Sequence, residues 1–186
     1  ASPPTGQMHF LNGRALGGLG EFHLAAESFE EAAKLEPANE SAHSNRARAL
    51  AKAGEHAKAA SAYQATSARF PTSARAKQRR AWFLATTSSE AVVDGPVALE
   101  LATELLVDRP TDPEFLSLVA AASAAAGKFK VAEEHETQAI EQIDGQPLAE
   151  GLSVEDLRSA MIERREAYRA GQRWIERCRL STRYAM

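Results

Sequence analysis

The residues that could carry out acid–base, nucleophilic or metal chemistry do not form a catalytic pattern in this sequence. No His-Glu-x-x-His pair occurs, and the histidines are widely separated. His9 and His43 stand 34 residues apart, at equivalent places of a repeat, so helix packing explains them better than metal binding. The full set is His9, His23, His43, His56 and His135. Scattered histidines of this kind predict neither a metal site nor a catalytic centre.

Two other features could support chemistry, and each has a simpler explanation. Cys178 lies between two arginines that would lower the pKa of its thiol, but a half-buried thiol in a C-terminal tail is the favoured interpretation. The stretch Gly17–Gly20 reads "GGLG", like a phosphate-binding loop. No strand precedes it and no Lys-Ser or Lys-Thr follows, so a turn is the better explanation. The sequence therefore predicts a non-enzymatic protein without a cofactor.

Composition and charge narrow the classes of partner. The formal net charge is −3, which gives no overall reason to expect nucleic acid or an anionic membrane surface as a ligand. The longest apolar stretch, residues 117–127, is too short and too rich in alanine to span a bilayer. A protein or peptide is the expected partner.

The chain begins "ASPPTG". A small first residue followed by a proline-rich lead is typical of what signal-peptide removal leaves, which favours export to the periplasm or the extracellular space over the cytoplasm. An engineered chain start would explain the same beginning.

A 34-residue repeat is the strongest pattern in the chain. The first unit carries a small residue, a glycine, an alanine, an aromatic, a small residue and a proline, and the second unit follows the same order 34 residues later. The positions are Gly13, Gly20, Ala25, Phe29, Ala32 and Pro37, then Ala47, Gly54, Ala59, Tyr63, Thr66 and Pro71. Ala25, Phe29 and Ala32 are spaced by four and three, so they share one face of a helix.

Each residue type in this repeat predicts a local structure. Gly20 and Gly54 are expected in the turn between two helices, because glycine readily adopts a positive φ. Pro37 and Pro71 are expected to end the second helix. Gly13 is expected to allow close approach of a neighbouring helix. One such helix-turn-helix unit cannot bury its apolar face alone, so the units are expected to stack.

The pattern resembles the tetratricopeptide repeat, and residues 6–175 together resemble the closing repeats and tail of bacterial members of that family. The fold class that this implies is an all-α, right-handed solenoid of about four units with a C-terminal capping helix. The expected organisation is a lead at 1–5, units at 6–39, 40–73, 74–112 and 113–146, and a capping helix and tail at 147–186.

Three departures from the repeat pattern stand out. Unit 3 carries five extra residues in the segment 86–96, where Asp94-Gly95-Pro96 predicts a turn before a helix starting near Val97. Unit 4 has Glu136 where the aromatic residue stands in the first two units, and Asp144 in place of the proline.

The capping helix is expected over 153–170, with Ser153 as its N-cap, an apolar face on Leu157, Met161 and Tyr168, and Gly171 as its stop.

The resemblance also implies a ligand groove, because the first helices of such repeats line one concave surface. Some family members hold a C-terminal carboxylate there with lysine, asparagine and arginine side chains. The matching places here hold Phe10, Arg14, Asn45, Arg75 and Arg79. Phe10 and Arg14 depart from that set, whereas Arg14, Asn45, Arg48, Arg75 and Arg79 together offer several donors suited to carboxylates. An exposed basic face without a ligand is the alternative.

Charge is segregated along the chain, and the segregation predicts self-association. Residues 40–90 have nine basic and three acidic side chains, and residues 91–150 have three basic and twelve acidic ones. A head-to-tail contact between copies would bring such unlike sections together. The residues expected to form the contact are Phe10, Leu11 and Leu16 near the N-terminus, and Trp174, Ile175, Leu180 and Tyr184 in the tail.

The sequence thus predicts a scaffold that holds a partner segment in its groove. The alternatives are a self-assembling structural subunit, as a head-to-tail oligomer, filament or coat component, and an accessory subunit of an enzyme complex.

Overall fold

A computed structural model describes residues 5–143 and 153–176 of the chain. Within these ranges the regular structure is entirely helical, and nine α-helices follow one another. They are α1 (Gly6–Gly18), α2 (Phe22–Leu35), α3 (Glu40–Lys52), α4 (His56–Arg69), α5 (Ala74–Thr86), α6 (Gly95–Asp108), α7 (Pro113–Ala125), α8 (Phe129–Gln142) and α9 (Val154–Arg169). The all-α helical-repeat fold class predicted from the sequence is confirmed. No helix in the described part of the chain is long and apolar enough to cross a membrane.

The turns within the helix pairs follow the glycine pattern. Gly20, between α1 and α2, has a φ of +84°, and Gly54, between α3 and α4, has a φ of +80°. An L-residue with a side chain is strained at such φ values, so the predicted role of these glycines is confirmed. The stretch Gly17–Gly20 comprises the last two residues of α1 and the two turn residues before α2, as its place in the repeat predicts.

The chain divides into two compact units, Ala1–Arg80 and Ala81–Met186, and the division falls within α5. In the first unit α1 packs on α2, α2 on α3, and α3 on α4. Ala25 and Ala32 of α2 are fully buried, and Phe29 is 3% exposed. A Cβ at Gly13 would lie 2.9 Å from the Phe29 ring, so this glycine permits the close packing of α1 on α2 that the sequence predicts.

The second repeat unit has Thr66 where the first repeat unit has Ala32, and the threonine is accommodated inside α4. The Thr66 side chain is 3% exposed, and its hydroxyl donates a 2.8 Å hydrogen bond to the carbonyl oxygen of Ala62. This bond satisfies the polar atom within the helix itself, so threonine replaces alanine in the core without leaving a buried donor unpaired.

In the second unit α6 packs on α7, α7 on α8, and α8 on α9. Helix α6 begins at Gly95, two residues before the predicted start near Val97, because Asp94 is its N-cap and accepts a hydrogen bond from the Val97 amide. A Cβ at Gly95 would lie 2.4 Å from the backbone of Ala125 and Ala126, so α6 and the end of α7 meet at this glycine. Helix α7 is buried on almost every side, which explains its apolar, alanine-rich sequence.

Helix α9 covers the last repeat, as the sequence predicts for a capping helix. Its N-cap Ser153 accepts a hydrogen bond from the Asp156 amide at 3.0 Å. Met161 and the partly buried Leu157 pack with Leu116, Ile140 and Ile143, whereas Tyr168 packs with alanines of α7 and α8. Gly171 follows α9 with a φ of +70°.

Candidate functional site

The groove residues predicted from the sequence lie on three helices of the first unit. Arg14 is on α1, Asn45 and Arg48 are on α3, and Arg75 and Arg79 are on α5. Arg14 and Arg75 are exposed, Arg48 and Arg79 are partly buried, and Asn45 is 9% exposed.

Three of these arginines lie close enough together to repel one another. The pKa of Arg79 is lowered from its ordinary value, first by burial and then by the positive charges of Arg75 and Arg48. Tyr63 and Glu40 act in the opposite direction with smaller effects. None of the three guanidinium groups forms an ion pair or a side-chain hydrogen bond within residues 5–143 and 153–176. We call Arg48, Arg75 and Arg79 the arginine cluster.

An uncompensated cluster of this kind has a clear chemical consequence. Planar guanidinium groups donate paired hydrogen bonds to carboxylates, and an anion placed among three of them would relieve their mutual repulsion. The neighbouring Arg46 differs, because its guanidinium lies 3.3 Å from the Glu30 carboxylate. Two arginines on the same helix are therefore in opposite situations, one neutralised by its own chain and one not.

Phe10 and Arg14, the two residues that depart from the clamp-like pattern, have different surroundings. Phe10 is partly buried against Ala32, Ala33 and Ala42, and its ring meets Phe29 edge-on at a centroid distance of 5.6 Å. It belongs to the packing of the first unit. Arg14 has no hydrogen bond or ion pair in the described part of the chain.

The residues predicted for self-association are found in different surroundings. Leu11 is 52% exposed, Leu16 is partly buried, and Ile175 is 37% exposed. Trp174 packs on its own unit, against the cluster of Ala120, Ala124, Ala132 and Tyr168. Leu180 and Tyr184, like Cys178, lie outside the described residues.

The histidines occupy separate places. His43 stacks edge-on with Phe70 at 5.6 Å, His23 lies 2.9 Å from Glu55, and the His135 ring nitrogen Nδ1 lies 2.9 Å from the Val131 carbonyl oxygen. The ranges 5–143 and 153–176 contain no group of three or more histidine, cysteine, aspartate or glutamate side chains placed to hold a metal ion.

The sequence did not reveal a buried charge pair in the second unit. Glu136 is fully buried, and its Oε1 accepts 2.9 Å contacts from both Nε and Nη2 of Arg164 on α9. Ser117 on α7 donates to the same carboxylate at 3.1 Å. Burial raises the pKa of Glu136, and the charge of Arg164 opposes that rise. The signal in the sequence was the glutamate at the repeat position that otherwise holds an aromatic residue.

Comparisons with known proteins agree with this architecture. Residues 10–85 match the family model described as tetratricopeptide repeat. A search of curated proteins found no match. Among solved structures, MamA from Desulfovibrio magneticus RS-1 (residues 41 to the end) is similar, with 15% identity, a TM-score of 0.63, and coverage of 92% of this chain and 91% of that one. A tetratricopeptide repeat protein from Parabacteroides merdae ATCC 43184 has 17% identity and a TM-score of 0.60, with coverage of 89% and 62%.

Proposed function

We propose that this tetratricopeptide-repeat protein is a non-enzymatic scaffold whose first unit binds a partner protein through an acidic segment or a C-terminal carboxylate. The arginine cluster carries the proposal. It consists of three guanidinium groups on α3 and α5 that form no ion pair with a carboxylate of the described residues, and Glu40 offsets their repulsion at Arg79 only in part. Asn45, on the same helix as Arg48, would add an amide donor beside them.

Recognition of this kind depends on charge and on geometry together. Partial burial of Arg79 weakens solvent screening, so a bound carboxylate would interact with it more strongly than with a fully exposed arginine. A terminal carboxylate offers two oxygens to the paired donors of one guanidinium group. An amidated terminus lacks the charge and keeps only one of these acceptor oxygens.

Calorimetry with matched peptides tests the proposal directly. A peptide with acidic residues before a free C-terminus is expected to bind the full chain at low salt, and its amidated form to bind more weakly. Salt is expected to weaken both, because it screens the exposed part of the contact. Absence of binding at low salt would reject the acidic ligand, and equal binding of both peptides would reject the carboxylate role.

The chain supplies a matched control for this experiment. Arg48→Gln removes a member of the arginine cluster, whereas Arg46→Gln removes the same charge two residues away on the same helix. We expect Arg48→Gln to weaken binding by about tenfold or more, since a hydrogen bond to a charged group contributes about 1.5–3 kcal/mol. Arg46→Gln should have little effect, because Arg46 is paired with Glu30. Similar losses in both variants would indicate only a general charge effect.

A second candidate function is self-assembly into a structural oligomer. The observation that favours it is an exposed apolar strip on α1, where Met8 and Leu11 are 59% and 52% exposed and lie three residues apart on one face. The net charges of +6 over residues 40–90 and −9 over residues 91–150 would orient a contact between copies. A contact between unlike surfaces would give rings or open filaments.

A further inference from the structure

The segment that follows α9 lies along the end of α5. Residues 172–176 form no regular structure, and the Glu176 amide donates a 2.9 Å hydrogen bond to the Thr86 carbonyl oxygen. Arg173 Nη1 donates to the carbonyl oxygens of Ala85 at 3.2 Å and Thr87 at 2.9 Å. The segment thus satisfies three successive carbonyl groups where α5 ends.

These carbonyl groups form a ready acceptor site. The last carbonyls of a helix have no partner within the helix, and they carry the negative end of its dipole. The five-residue insertion follows α5 directly, so the next repeat helix does not begin there to cover them. A guanidinium group supplies both the donors and the positive charge that this place favours.

Side chains on both sides of the segment complete the recognition. Arg173 Nη2 lies 2.6 Å from Glu90, and the Trp82 indole Nε1 donates to Glu176 Oε2 at 2.9 Å. Trp174 packs on a patch formed by Tyr168 and alanines of α7 and α8. The second unit therefore contacts Arg173, Trp174 and Glu176 of the segment through three different parts of its surface. We call this surface the tail site, comprising Trp82, the carbonyls of 85–87, Glu90 and Tyr168.

We propose that the tail site is a peptide-binding site that the chain's own residues 172–176 occupy, and that a partner segment with the order arginine, aromatic, any residue, acidic competes for it. The main-chain bond and the side-chain anchors resemble the way domains hold extended peptides. Nothing in these contacts requires the occupant to be joined to Gly171. The Glu90 side chain is 79% exposed and Ile175 is 37% exposed, so part of the contact lies at the surface, whereas the Arg173 side chain is only 13% exposed and anchors the segment.

Competition by the attached segment sets the expected result. A segment in the same chain has a high effective concentration, so a peptide added in solution encounters few open sites. The apparent affinity of the added peptide equals its intrinsic affinity multiplied by the fraction of molecules in which the site is open. A variant that releases the segment should therefore bind the same peptide about tenfold or more tightly.

The experiment uses the full chain and a fluorescently labelled peptide with the sequence of residues 170–177. Fluorescence anisotropy is measured on the wild type, on the Arg173→Ala/Trp174→Ala variant, and on Arg169→Ala, which removes an exposed arginine paired with Glu133. We expect stronger binding only in the double variant, and none with a peptide that carries alanine in place of its arginine and tryptophan. Adding Trp82→Phe to the double variant should reduce the binding, because the indole donor is lost.

Two outcomes would overturn the proposal. One is a double variant that binds the peptide no better than the wild type while its circular dichroism shows the helical fold intact. The other is equal binding of the alanine-substituted peptide. Hydrogen exchange gives a second readout that does not depend on peptide affinity. The Glu176 amide should be protected in the wild type and unprotected in the double variant, and continued protection would contradict the anchoring role of Arg173 and Trp174. The arginine cluster lies in the first unit. The calorimetry test of that cluster can therefore fail while the test of the tail site succeeds, and the reverse.

Discussion

At the scale of single residues, the Glu136–Arg164 pair shows how one substitution changes the chemistry of a repeat. The glutamate fills a position that is aromatic in the first two units, and its charge requires a buried partner that only α9 provides. Glu136 Oε2 and Tyr168 Oη have no hydrogen-bond partner among the described residues. The pair therefore ties the capping helix to its repeat through an interaction that a purely apolar face would not specify.

Arg164→Met tests this pair, because methionine retains much of the apolar stem and removes the charge. Leaving one buried charge without its partner costs about 3–5 kcal/mol of unfolding free energy. The matched control is Arg169→Met on the same helix, whose partner Glu133 also lies on α8 but whose side chain is 54% exposed. We expect a large loss in Arg164→Met and little change in Arg169→Met, measured by urea denaturation. Similar losses in the two variants would contradict the special role of the buried pair.

The sign of the pH dependence follows from the burial of Glu136. In Arg164→Met the buried carboxylate keeps its proton to a higher pH than in the unfolded chain, where glutamate titrates near 4.5. The folded state then binds more protons than the unfolded state between these two pKa values. The unfolding free energy of the variant therefore falls as the pH rises through that window. The difference from the wild type should be smallest at acid pH, and a difference that grows on acidification would contradict this assignment.

At the scale of the elements, the repeat pattern predicted most helices because each signal in it is local. Gly20, Gly54 and Pro37 determine local backbone conformation, and the spacing of the alanines places them on one helix face. Both effects can be predicted from a single sequence. Helix α6 starts at Gly95, two residues before the expected position near Val97, because Asp94 caps it through the Val97 amide. The close approach of Gly95 to the end of α7 is a tertiary contact that a local pattern does not show. The Arg164 pair and the tail contacts join residues 28 to 94 positions apart, which no local pattern encodes.

Gly95 gives a test of element packing that the sequence alone did not suggest. Gly95→Ala would place a Cβ 2.4 Å from the α7 backbone, and backbone cannot move aside as a flexible side chain can. We expect a loss of about 1–3 kcal/mol in unfolding free energy from the overpacking. Gly18→Ala is the control, since nothing lies within 4 Å of that Cβ position, and it should leave stability unchanged or slightly higher. Equal stability of both variants in thermal denaturation would reject the close contact between α6 and α7.

At the scale of the whole molecule, the remaining prediction concerns assembly. Each end of a repeat array needs a cap or a partner to cover its apolar face. Helix α9 provides a cap at one end, and its outward side is mostly polar. On α1, in contrast, Met8 and Leu11 are exposed in the described part of the chain. We therefore predict a homo-oligomer that forms at low salt, weakens at high salt, and is lost when residues 172–186 are deleted.

Light scattering over a range of protein concentrations measures the oligomeric state directly. Two further variants test which exposed apolar residues form the contact. Met8→Asp/Leu11→Asp should abolish the oligomer, whereas Val107→Asp, at a residue 78% exposed in the second unit, should leave it intact. Deletion of 177–186 alone removes Leu180 and Tyr184 while leaving the segment 172–176 in the tail site. Loss of the oligomer in this shorter deletion would assign the contact to residues 177–186. Its persistence, together with loss in the longer deletion, would assign the contact to residues 172–176. A wild-type chain that stays monomeric at high concentration and low salt would end the assembly hypothesis and leave the scaffold function alone.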